Sequence, residues 1–387
     1  MRTFAQALFF DKDNIHTLEK DSEFKICKDD FLAPRKLGIS GHLRVKNEAR
    51  SVGLAIESAL PALDELIITC QKHIDRSGMD ETYAICKDFA KKYPDKIKLF
   101  YYTPEVIAPN GSHVLNDSKE ASKIKQKFLK NEKKRSLSSH IPANSVHSIA
   151  HYYNFGLTKT SYKYYIKIDG DHVYFTDKLL ALRKNILKLD YLQTHRKSRL
   201  LGKFLEPFYA FLGSKLYLQK YLKFCMQING KCAFSLSGLN IGKRAYETKV
   251  ALSKEELLSD EIYIPLVQNK HDGFCVLNAS DHVLLPIDPS VFYVLHDSGV
   301  ENLRYGAKNI LFLGLFSFHY GMEKRDKRIN GIENIDYISL KNYLKTNQLD
   351  LLRLVKFDAK GHLHRHLFGN IKHFKHIDDL IIEQFLK

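Results

Sequence analysis

Two aspartates, Asp169 and Asp171, end an alternating apolar stretch that reads IKIDGDHVYF at residues 166–175. Neighbouring carboxylates repel each other unless a cation lies near both of them. Hard divalent cations such as Mg²⁺ and Mn²⁺ prefer oxygen ligands and often share them with the phosphates of a substrate. The Asp-x-Asp pattern also occurs by chance, as at Asp11 and Asp13. The pair therefore indicates either a metal site or an acidic, solvated strand end.

Three further segments carry residue types that could act beside such a metal. DRSGMDET, residues 75–82, follows an apolar run and holds two acids at positions i and i+5. Asp260 and Glu261 precede the segment IYIPLVQN, where they could act as a general base or stabilise the N-terminus of a helix. His319 follows an aromatic run and could be either a metal ligand or a hydrogen-bonded core histidine.

The elements around these residues alternate between strand and helix patterns. Residues 52–60 have apolar side chains at helical spacing, and residues 64–70, DELIITC, form a compact apolar run typical of a buried parallel strand. An amphipathic helix is predicted over 81–94 and another strand over 95–102. This β-α-β-α-β order predicts a parallel sheet with right-handed crossovers. Asp169 then lies at the carboxyl end of a strand, where open α/β sheets bind ligands.

The composition is that of a basic globular protein. Its 387 residues include 60 Lys and Arg against 44 Asp and Glu, a formal net charge of +16. This excess suits nucleic acid, an anionic membrane surface or a phosphorylated substrate, but no zinc-finger, RNP or helix-turn-helix signature supports nucleic acid. The six cysteines form no C-x-x-C pair, and no signal peptide is evident at the N-terminus, so a cytoplasmic protein is predicted.

Together these segments resemble the GT-A glycosyltransferases, and among them the bacterial β-1,4-N-acetylgalactosaminyltransferases that build lipooligosaccharide outer cores. The resemblance rests on LRVKNEARSVGLAIESALPAL, DRSGMDET, YPDKIKLFYY, HYYNFGL and IKIDGDHVYF, which occur in this order. It covers residues 41–180 closely and 225–325 more weakly. It implies a GT-A-type, Rossmann-like α/β fold: a mixed, mainly parallel sheet flanked by helices, with a helical C-terminal extension.

The resemblance also implies a domain organisation. A GT-A domain spans 41–325, preceded by an N-terminal extension, 1–40, and followed by a basic helical region, 326–387. A lysine-rich insertion at about 107–145 lies outside the resemblance. Its composition is typical of a solvated, partly disordered segment, and the alternative is a basic flap over an anionic substrate.

Site roles follow from the same resemblance. It implies that the metal is bound by Asp169, Asp171 and His319, and that Glu261 or Asp260 is the catalytic base. The nucleotide sugar would be contacted by Arg44, Asn47, Glu48, Asp75, Tyr153, Asn154, Lys167, Asp169 and Arg325. For Tyr153 and Asn154, the alternative to a nucleotide contact is that they pack in the core, because aromatic residues at helical spacing are more often buried.

The implied reaction is a metal-dependent, inverting transfer of N-acetylgalactosamine, or a related hexose, from a UDP-sugar to a terminal galactose of a lipopolysaccharide or lipooligosaccharide. The implied cofactor is Mn²⁺ or Mg²⁺, and the partners are the UDP-sugar donor and a lipid-linked oligosaccharide acceptor, with no nucleic acid. Lys- and Arg-rich segments would allow peripheral contact with the anionic inner face of the bacterial inner membrane. The alternatives are a non-catalytic relative that binds glycans or nucleotide sugars, and a nucleotidyltransferase. The latter normally needs a Gly-rich phosphate loop near its first strand, which GHLRVKNEARS lacks.

Overall fold

The computed structural model of the chain describes residues 23–26, 30, 33–71, 80–104, 106, 145–192, 232–240, 242–243, 262–269, 273–275, 277–288, 291–295, 301–304, 309–319 and 336–339. The chain divides into two compact units. Unit 1 comprises Met1–Asn47, Asp64–Tyr165 and Ile287–Gly306, and unit 2 comprises Glu48–Leu63, Ile166–Pro286 and Ala307–Lys387.

Four α-helices, one short 3₁₀-helix (Leu60–Ala62) and fourteen strands lie within the described residues. The helices are α1 (Val52–Ala59), α2 (Thr82–Lys92), α3 (Ile149–Thr158) and α4 (Thr176–Leu192). The strands are β1 (Lys36–Val45), β2 (Glu65–Gln71), β3 (Ile97–Tyr102), β4 (Tyr162–Asp169), β5 (His172–Tyr174), β6 (Cys232–Asn240), β7 (Gly242–Lys243), β8 (Ile262–Asn269), β9 (Gly273–Cys275), β10 (Leu277–Pro286), β11 (Phe292–Leu295), β12 (Glu301–Arg304), β13 (Asn309–His319) and β14 (Asp336–Ser339). Among the described residues, no helix is both long and apolar enough to cross a membrane.

Unit 1 is built on the parallel strands β1, β2 and β3, in the order β3-β2-β1. All seven residues of β2 are buried, as its continuous apolar run predicts. Helix α2 links β2 to β3, and the antiparallel pair β11 and β12 packs beside α3. The predicted parallel arrangement of these first strands is therefore confirmed.

Two buried tyrosines of unit 1 donate hydrogen bonds to backbone carbonyls. All ten residues of α3 are buried. The Tyr152 hydroxyl donates to the Thr69 carbonyl at 2.6 Å, and the Tyr102 hydroxyl donates to the Val146 carbonyl at 2.7 Å. Because a buried hydroxyl without a partner would be costly, these bonds fix α3 against β2, and β3 against the segment that precedes α3.

One buried carboxylate, Glu65 at the start of β2, joins three chain segments of unit 1. Its Oε1 accepts hydrogen bonds from the Ser40 hydroxyl at 2.7 Å and from the Ser161 backbone N–H, and its Oε2 lies 3.0 Å from Lys98 Nζ. Burial raises the pKa of Glu65, but the hydrogen bonds and Lys98 outweigh it and lower the pKa below its ordinary value.

We expect Glu65→Gln to reduce the free energy of unfolding by about 1–3 kcal/mol at neutral pH. Because the folded pKa is lowered, this stabilisation is full above the unfolded pKa, about 4.3, and is lost as the pH falls through the folded value. Urea unfolding of both proteins between pH 3 and 7 measures the difference. A difference that stays constant down to pH 3 would contradict the assignment.

Unit 2 contains the end of β4, residues 166–169, in a mixed sheet with the order β4-β10-β6-β13-β5. Strand β13 is parallel to β6, whereas β10 is antiparallel to β6 and β5 is antiparallel to β13. Helix α1 buries Val52, Ala55, Ile56 and Ala59, as their spacing predicts. The Ser58 hydroxyl of α1 accepts the backbone N–H of Tyr174 at 2.9 Å, which attaches β5 to this helix.

The fold is mixed α/β, with a mainly parallel central sheet flanked by helices, and the predicted fold class is confirmed.

One local expectation is wrong. The segment after Glu261 was expected to be a helix, but Ile262–Asn269 is strand β8, which pairs with β7, β9 and β14. Proline within a helix removes a hydrogen bond and clashes with the preceding turn, so Pro265 and the β-branched and aromatic residues around it favour a strand. In the predicted helical C-terminal region the described part is also a strand, β14.

Candidate metal centre

The turn between β4 and β5 places the aspartate pair beside two histidines of neighbouring strands. Asp169 is the last residue of β4, Asp171 lies in the turn, and His172 begins β5. Antiparallel pairing sets His172 opposite His319 at the end of β13. Through this pairing, the three-residue strand β5 brings His319, from a distant segment of the chain, close to the aspartates.

A third histidine comes from β10. His282 Nε2 lies 3.3 Å from His172 Nε2 and 3.6 Å from Asp169 Oδ2. His319 Nε2 lies 3.4 Å from Asp171 Oδ2. The ring of His172 is 4.2 Å, centroid to centroid, from the rings of both other histidines. These five residues, all in unit 2, are called the Asp/His centre below.

The Asp/His centre contains two groups that could hold a metal ion: Asp169 with His172 and His282, and Asp171 with His172 and His319. Within each group the donor atoms lie within 4.8 Å of one another. The aspartate side chains are 16% and 15% exposed, whereas His172 and His282 are almost fully buried. The carboxylates therefore remain accessible to a substrate, while the imidazoles approach from the protein interior.

Burial determines the protonation of two side chains here. Burial, assisted by His282 and His319, holds the pKa of His172 well below its ordinary value, which favours the neutral, metal-binding imidazole. Burial and the charge of Asp169 raise the pKa of Tyr174 well above its ordinary value, so its hydroxyl stays protonated. That hydroxyl oxygen accepts the Asp169 backbone N–H at 3.1 Å and fixes the end of β4.

Space for the His172 ring depends on a glycine of β6. A Cβ added at Gly238 would lie 2.8 Å from His172 Cε1 and 3.0 Å from Ser317 Oγ. Atoms this close must move apart, and both neighbours belong to a packed, hydrogen-bonded interior, because His172 Nδ1 is 2.9 Å from the same Ser317 oxygen.

We expect Gly238→Ala to displace His172 and to reduce stability by about 1–3 kcal/mol. The thermal stabilisation produced by added Mn²⁺ should fall with it, because the ring would leave its position. Differential scanning calorimetry with and without Mn²⁺ measures both effects. Ala233→Gly on the same strand is the control, since it weakens the strand without adding an atom near His172. A Mn²⁺ response in Gly238→Ala equal to that of the unmodified chain would count against this account.

The structure brings together four of the residues that the sequence singles out. Asp169, Asp171 and His319 belong to the Asp/His centre, and Lys167 Nζ lies 3.1 Å from Asp169 Oδ2. Lys167 thus neutralises part of the charge of the aspartate pair.

Other predicted contacts of the nucleotide sugar lie in unit 1. The guanidinium of Arg44 is 5.2 Å from the centre of the Tyr153 ring, and the Tyr153 hydroxyl donates to Glu301 Oε1 at 2.7 Å. Asn154 is buried, and its amide pairs with the backbone N–H and carbonyl of Tyr293 at 2.7 and 2.9 Å. Asn154 therefore holds β11 against α3.

Asn47 and Glu48 lie between β1 and α1. Asn47 is exposed and adopts a positive φ of 55°, a conformation that asparagine tolerates better than most residues. Glu48 is buried, and its carbonyl accepts the backbone N–H groups of Ser51 and Val52 where α1 begins.

Several predicted residues lie outside the described residues: Asp75, Asp260, Glu261 and Arg325, together with most of the lysine-rich insertion. Asp80, from the same loop as Asp75, is described. Its Oδ1 accepts the backbone N–H of Thr82, the first residue of α2, at 3.1 Å.

The sequence interpretation missed His172 and His282. Both follow an aspartate and precede a valine, in Asp-His-Val triplets at 171–173 and 281–283. Both triplets include strand residues, β5 and β10. The repeated triplet is the one sequence signal that could have linked them, and it is weak because histidine is frequent in this chain.

Comparisons with known proteins give little further information. No protein-family model matches the chain, and no curated protein is significantly similar to it. Among solved structures, S. aureus TarS 1–349 is similar, with 8% sequence identity over 88% of this chain and 72% of that chain. The TM-score is 0.29. A likeness at this level supports no conclusion about the activity of this chain.

Proposed function

We propose that this chain is a metal-dependent, inverting glycosyltransferase. It transfers N-acetylgalactosamine, or a related hexose, from a UDP-sugar to a terminal galactose of a lipid-linked oligosaccharide. One observation carries the proposal: Asp171 and His319, which the family resemblance assigns to the metal, lie 3.4 Å apart beside Asp169 at the end of a strand. The two residues are 148 positions apart in the sequence, so local structure does not explain why they lie together.

The Asp/His centre fits an Mn²⁺-type ion, because it combines carboxylate oxygens with imidazole nitrogens. A bound ion supplies positive charge that stabilises the departing diphosphate. Asp169, Asp171 and His319 would hold it, and Asp169, which is also paired with Lys167, would in addition orient the ribose or a bound water. Lys167 adds a second positive charge on the same side of the turn.

The transfer requires one bond to form and one to break at the anomeric carbon. The acceptor hydroxyl oxygen bonds to this carbon while the bond to the β-phosphate oxygen of UDP breaks, and that electron pair leaves with UDP. The hydroxyl proton passes to a carboxylate, for which Glu261 and Asp260 are the candidates. A single displacement of this kind inverts the configuration of the sugar.

The remaining contacts in the proposal are those of the family resemblance. Arg44 and Tyr153 would contact the nucleotide together with Asp75, and Arg325 would bind the diphosphate as it leaves. The net charge of +16 suits an acceptor that carries phosphate and lies at an anionic membrane surface. We therefore place the enzyme in the cytoplasm, with peripheral attachment to the inner face of the inner membrane.

A donor screen tests the proposed activity. Purified protein is incubated with Mn²⁺ and, in turn, UDP-N-acetylgalactosamine, UDP-N-acetylglucosamine, UDP-galactose and UDP-glucose, with and without a galactose-terminated acceptor. Release of UDP that depends on one donor is the expected result. Absence of UDP release with every donor would reject the enzyme, and binding of a donor without turnover would favour the non-catalytic alternative.

A further inference from the structure

The hydrogen bonds of His282 determine which of its nitrogens can bind a metal. Its Nδ1 lies 3.0 Å from the carbonyl oxygen of Lys167. A carbonyl oxygen only accepts hydrogen bonds, so Nδ1 carries the proton. Its Nε2 then has a lone pair, which faces His172 Nε2 at 3.3 Å and Asp169 Oδ2 at 3.6 Å. Metal-binding histidines typically donate their other N–H group to a carbonyl in this way.

His172 completes a cluster of electron-rich atoms. Its Nδ1 lies 2.9 Å from the Ser317 hydroxyl, which can either donate or accept a hydrogen bond, and its Nε2 faces the lone pair of His282 at 3.3 Å. The lone pair of His282 also faces a carboxylate oxygen of Asp169 at 3.6 Å. When Nδ1 of His172 donates to Ser317, its Nε2 has a lone pair as well, and a metal ion can then be bound by both imidazoles and by this carboxylate.

Each pair of neighbouring atoms has a spacing that two ligands of one ion would have. The three separations are 3.3, 3.6 and 3.4 Å: His282 to His172, His282 to Asp169, and His319 to Asp171. Ligands about 2.1 Å from an ion lie about 3.0 Å apart in an octahedron and about 3.4 Å apart in a tetrahedron. Direct hydrogen bonds from nitrogen are mostly about 2.7–3.2 Å long.

We infer that His172 and His282 are metal ligands and that the Asp/His centre binds a single transition-metal ion in preference to Mg²⁺. Imidazole nitrogen binds Co²⁺ and Zn²⁺ well and Mn²⁺ more weakly, whereas Mg²⁺ requires oxygen ligands. A neutral imidazole nitrogen has one lone pair, so Nε2 of His172 binds one ion. The inference deepens the metal site that the proposed function uses, but ion binding can be measured whether or not sugar is transferred.

Lys167 is the charged group that competes most directly for this position. Its ammonium lies 3.1 Å from Asp169 Oδ2 and is largely buried beside it. A carboxylate has two oxygens with about four sites for hydrogen bonds or ions, so Asp169 can serve the ammonium and an ion together. Repulsion between the two cations weakens ion binding, and coordination by the imidazole nitrogens offsets it.

The first test uses the unmodified full-length protein after metal removal with EDTA. Titration with Co²⁺, followed by visible absorption and by metal analysis of the gel-filtered protein, should reveal one ion per chain with the d–d bands of nitrogen ligation. Mn²⁺ should displace Co²⁺ at concentrations at least tenfold lower than Mg²⁺. Equal displacement by Mg²⁺ and Mn²⁺, a spectrum typical of oxygen ligands alone, or no binding at all would overturn the inference.

The second test removes the nitrogens one at a time. His282→Asn and His172→Asn keep a polar group near the Nδ1 position and lack Nε2, so each should weaken Co²⁺ binding at least tenfold. His151→Asn is the matched control, because His151 is a buried histidine of α3 whose Nε2 bonds to the Phe24 carbonyl in unit 1. Co²⁺ affinities within twofold of the unmodified protein for both test variants would overturn the inference.

A cooperative thermal transition in EDTA verifies that each variant is folded, and if one is not, the competition experiment with unmodified protein decides. Failure of the proposed function would look different. If the protein binds Co²⁺ in this way but releases no UDP with any donor, the metal site is supported and the glycosyltransferase proposal is wrong. If UDP is released without any preference among ions, and the asparagine variants have no effect, the glycosyltransferase proposal stands and the inference about the metal ligands is wrong.

Discussion

Asp171→Asn is expected to reduce metal-stimulated UDP release by at least about 100-fold, the effect typical of losing one electrostatic contact to a transition state. The substitution keeps the size of the side chain and removes the negative charge that faces His319 Nε2 at 3.4 Å. An amide oxygen is a poorer ligand than a carboxylate, so the ion would be held weakly and out of position. Initial rates of UDP release, measured across a range of Mn²⁺ concentrations, give the change in rate and in metal dependence.

The matched control for this substitution is Asp177→Asn. Asp177 is an exposed acid in the first turn of α4, also in unit 2, and it loses the same charge. Its rate should remain within about twofold of the unmodified protein, because surface charges contribute little. If Asp171→Asn keeps more than a tenth of the rate at saturating Mn²⁺, the carboxylate of Asp171 is not needed for the reaction.

Gly156→Ala is expected to destabilise the protein by about 3 kcal/mol, at the upper end for a methyl group added to a packed interior. In an ordinary helix the same change stabilises by about 1 kcal/mol. Here the new Cβ would lie 2.0 Å from His42 Nε2 and 2.3 Å from its Cε1. The ring cannot move freely, because Nδ1 is 3.1 Å from the Tyr165 hydroxyl and Nε2 is 3.0 Å from the Thr69 hydroxyl. Urea unfolding measures the change.

A double-mutant cycle identifies the cause of this loss. His42→Ala removes the ring that the new methyl group meets, so the two substitutions together should cost less than the sum of their separate costs, by more than about 1 kcal/mol. Additivity within about 0.5 kcal/mol would show that Gly156 is needed for another reason. Since both residues lie in unit 1, the cycle is independent of the Asp/His centre.

Local pattern was sufficient for the first part of the fold. The run ELIITC of β2 has the length and continuous apolar character of a strand buried on both faces, and all of it is buried. The apolar spacing of α1 matched its buried face. The pattern misled at β8, because a short apolar run after two acids fits a helix start as well as a strand. Its pairing with β14, more than 60 residues further on, settles the structure and is not visible in the segment itself.

The sequence could suggest ligands that stand in a motif, but not those that the sheet brings to it. Asp169 and Asp171 could be found from their position after a strand, and His319 from the segment that it follows. His282 contacts His172 across 110 residues of sequence, and the contact depends on β10 lying next to β4 in the sheet. Strand order is decided by long-range packing, so a lone histidine in a strand gives no indication of what it will face.

Because Gly238 has only a hydrogen atom as its side chain, we expect the residue at this position to vary together with the residue at 172 in related chains. The backbone at this position needs no glycine for its own conformation, since its φ lies outside the left-handed region. The constraint comes from the ring of His172, which occupies the volume that a methyl group would take. Positions 172 and 238 should therefore change together among related chains: where a smaller residue replaces the histidine, alanine or serine becomes tolerable at 238. A lineage that keeps the glycine long after losing the histidine would indicate that another part of the molecule requires it.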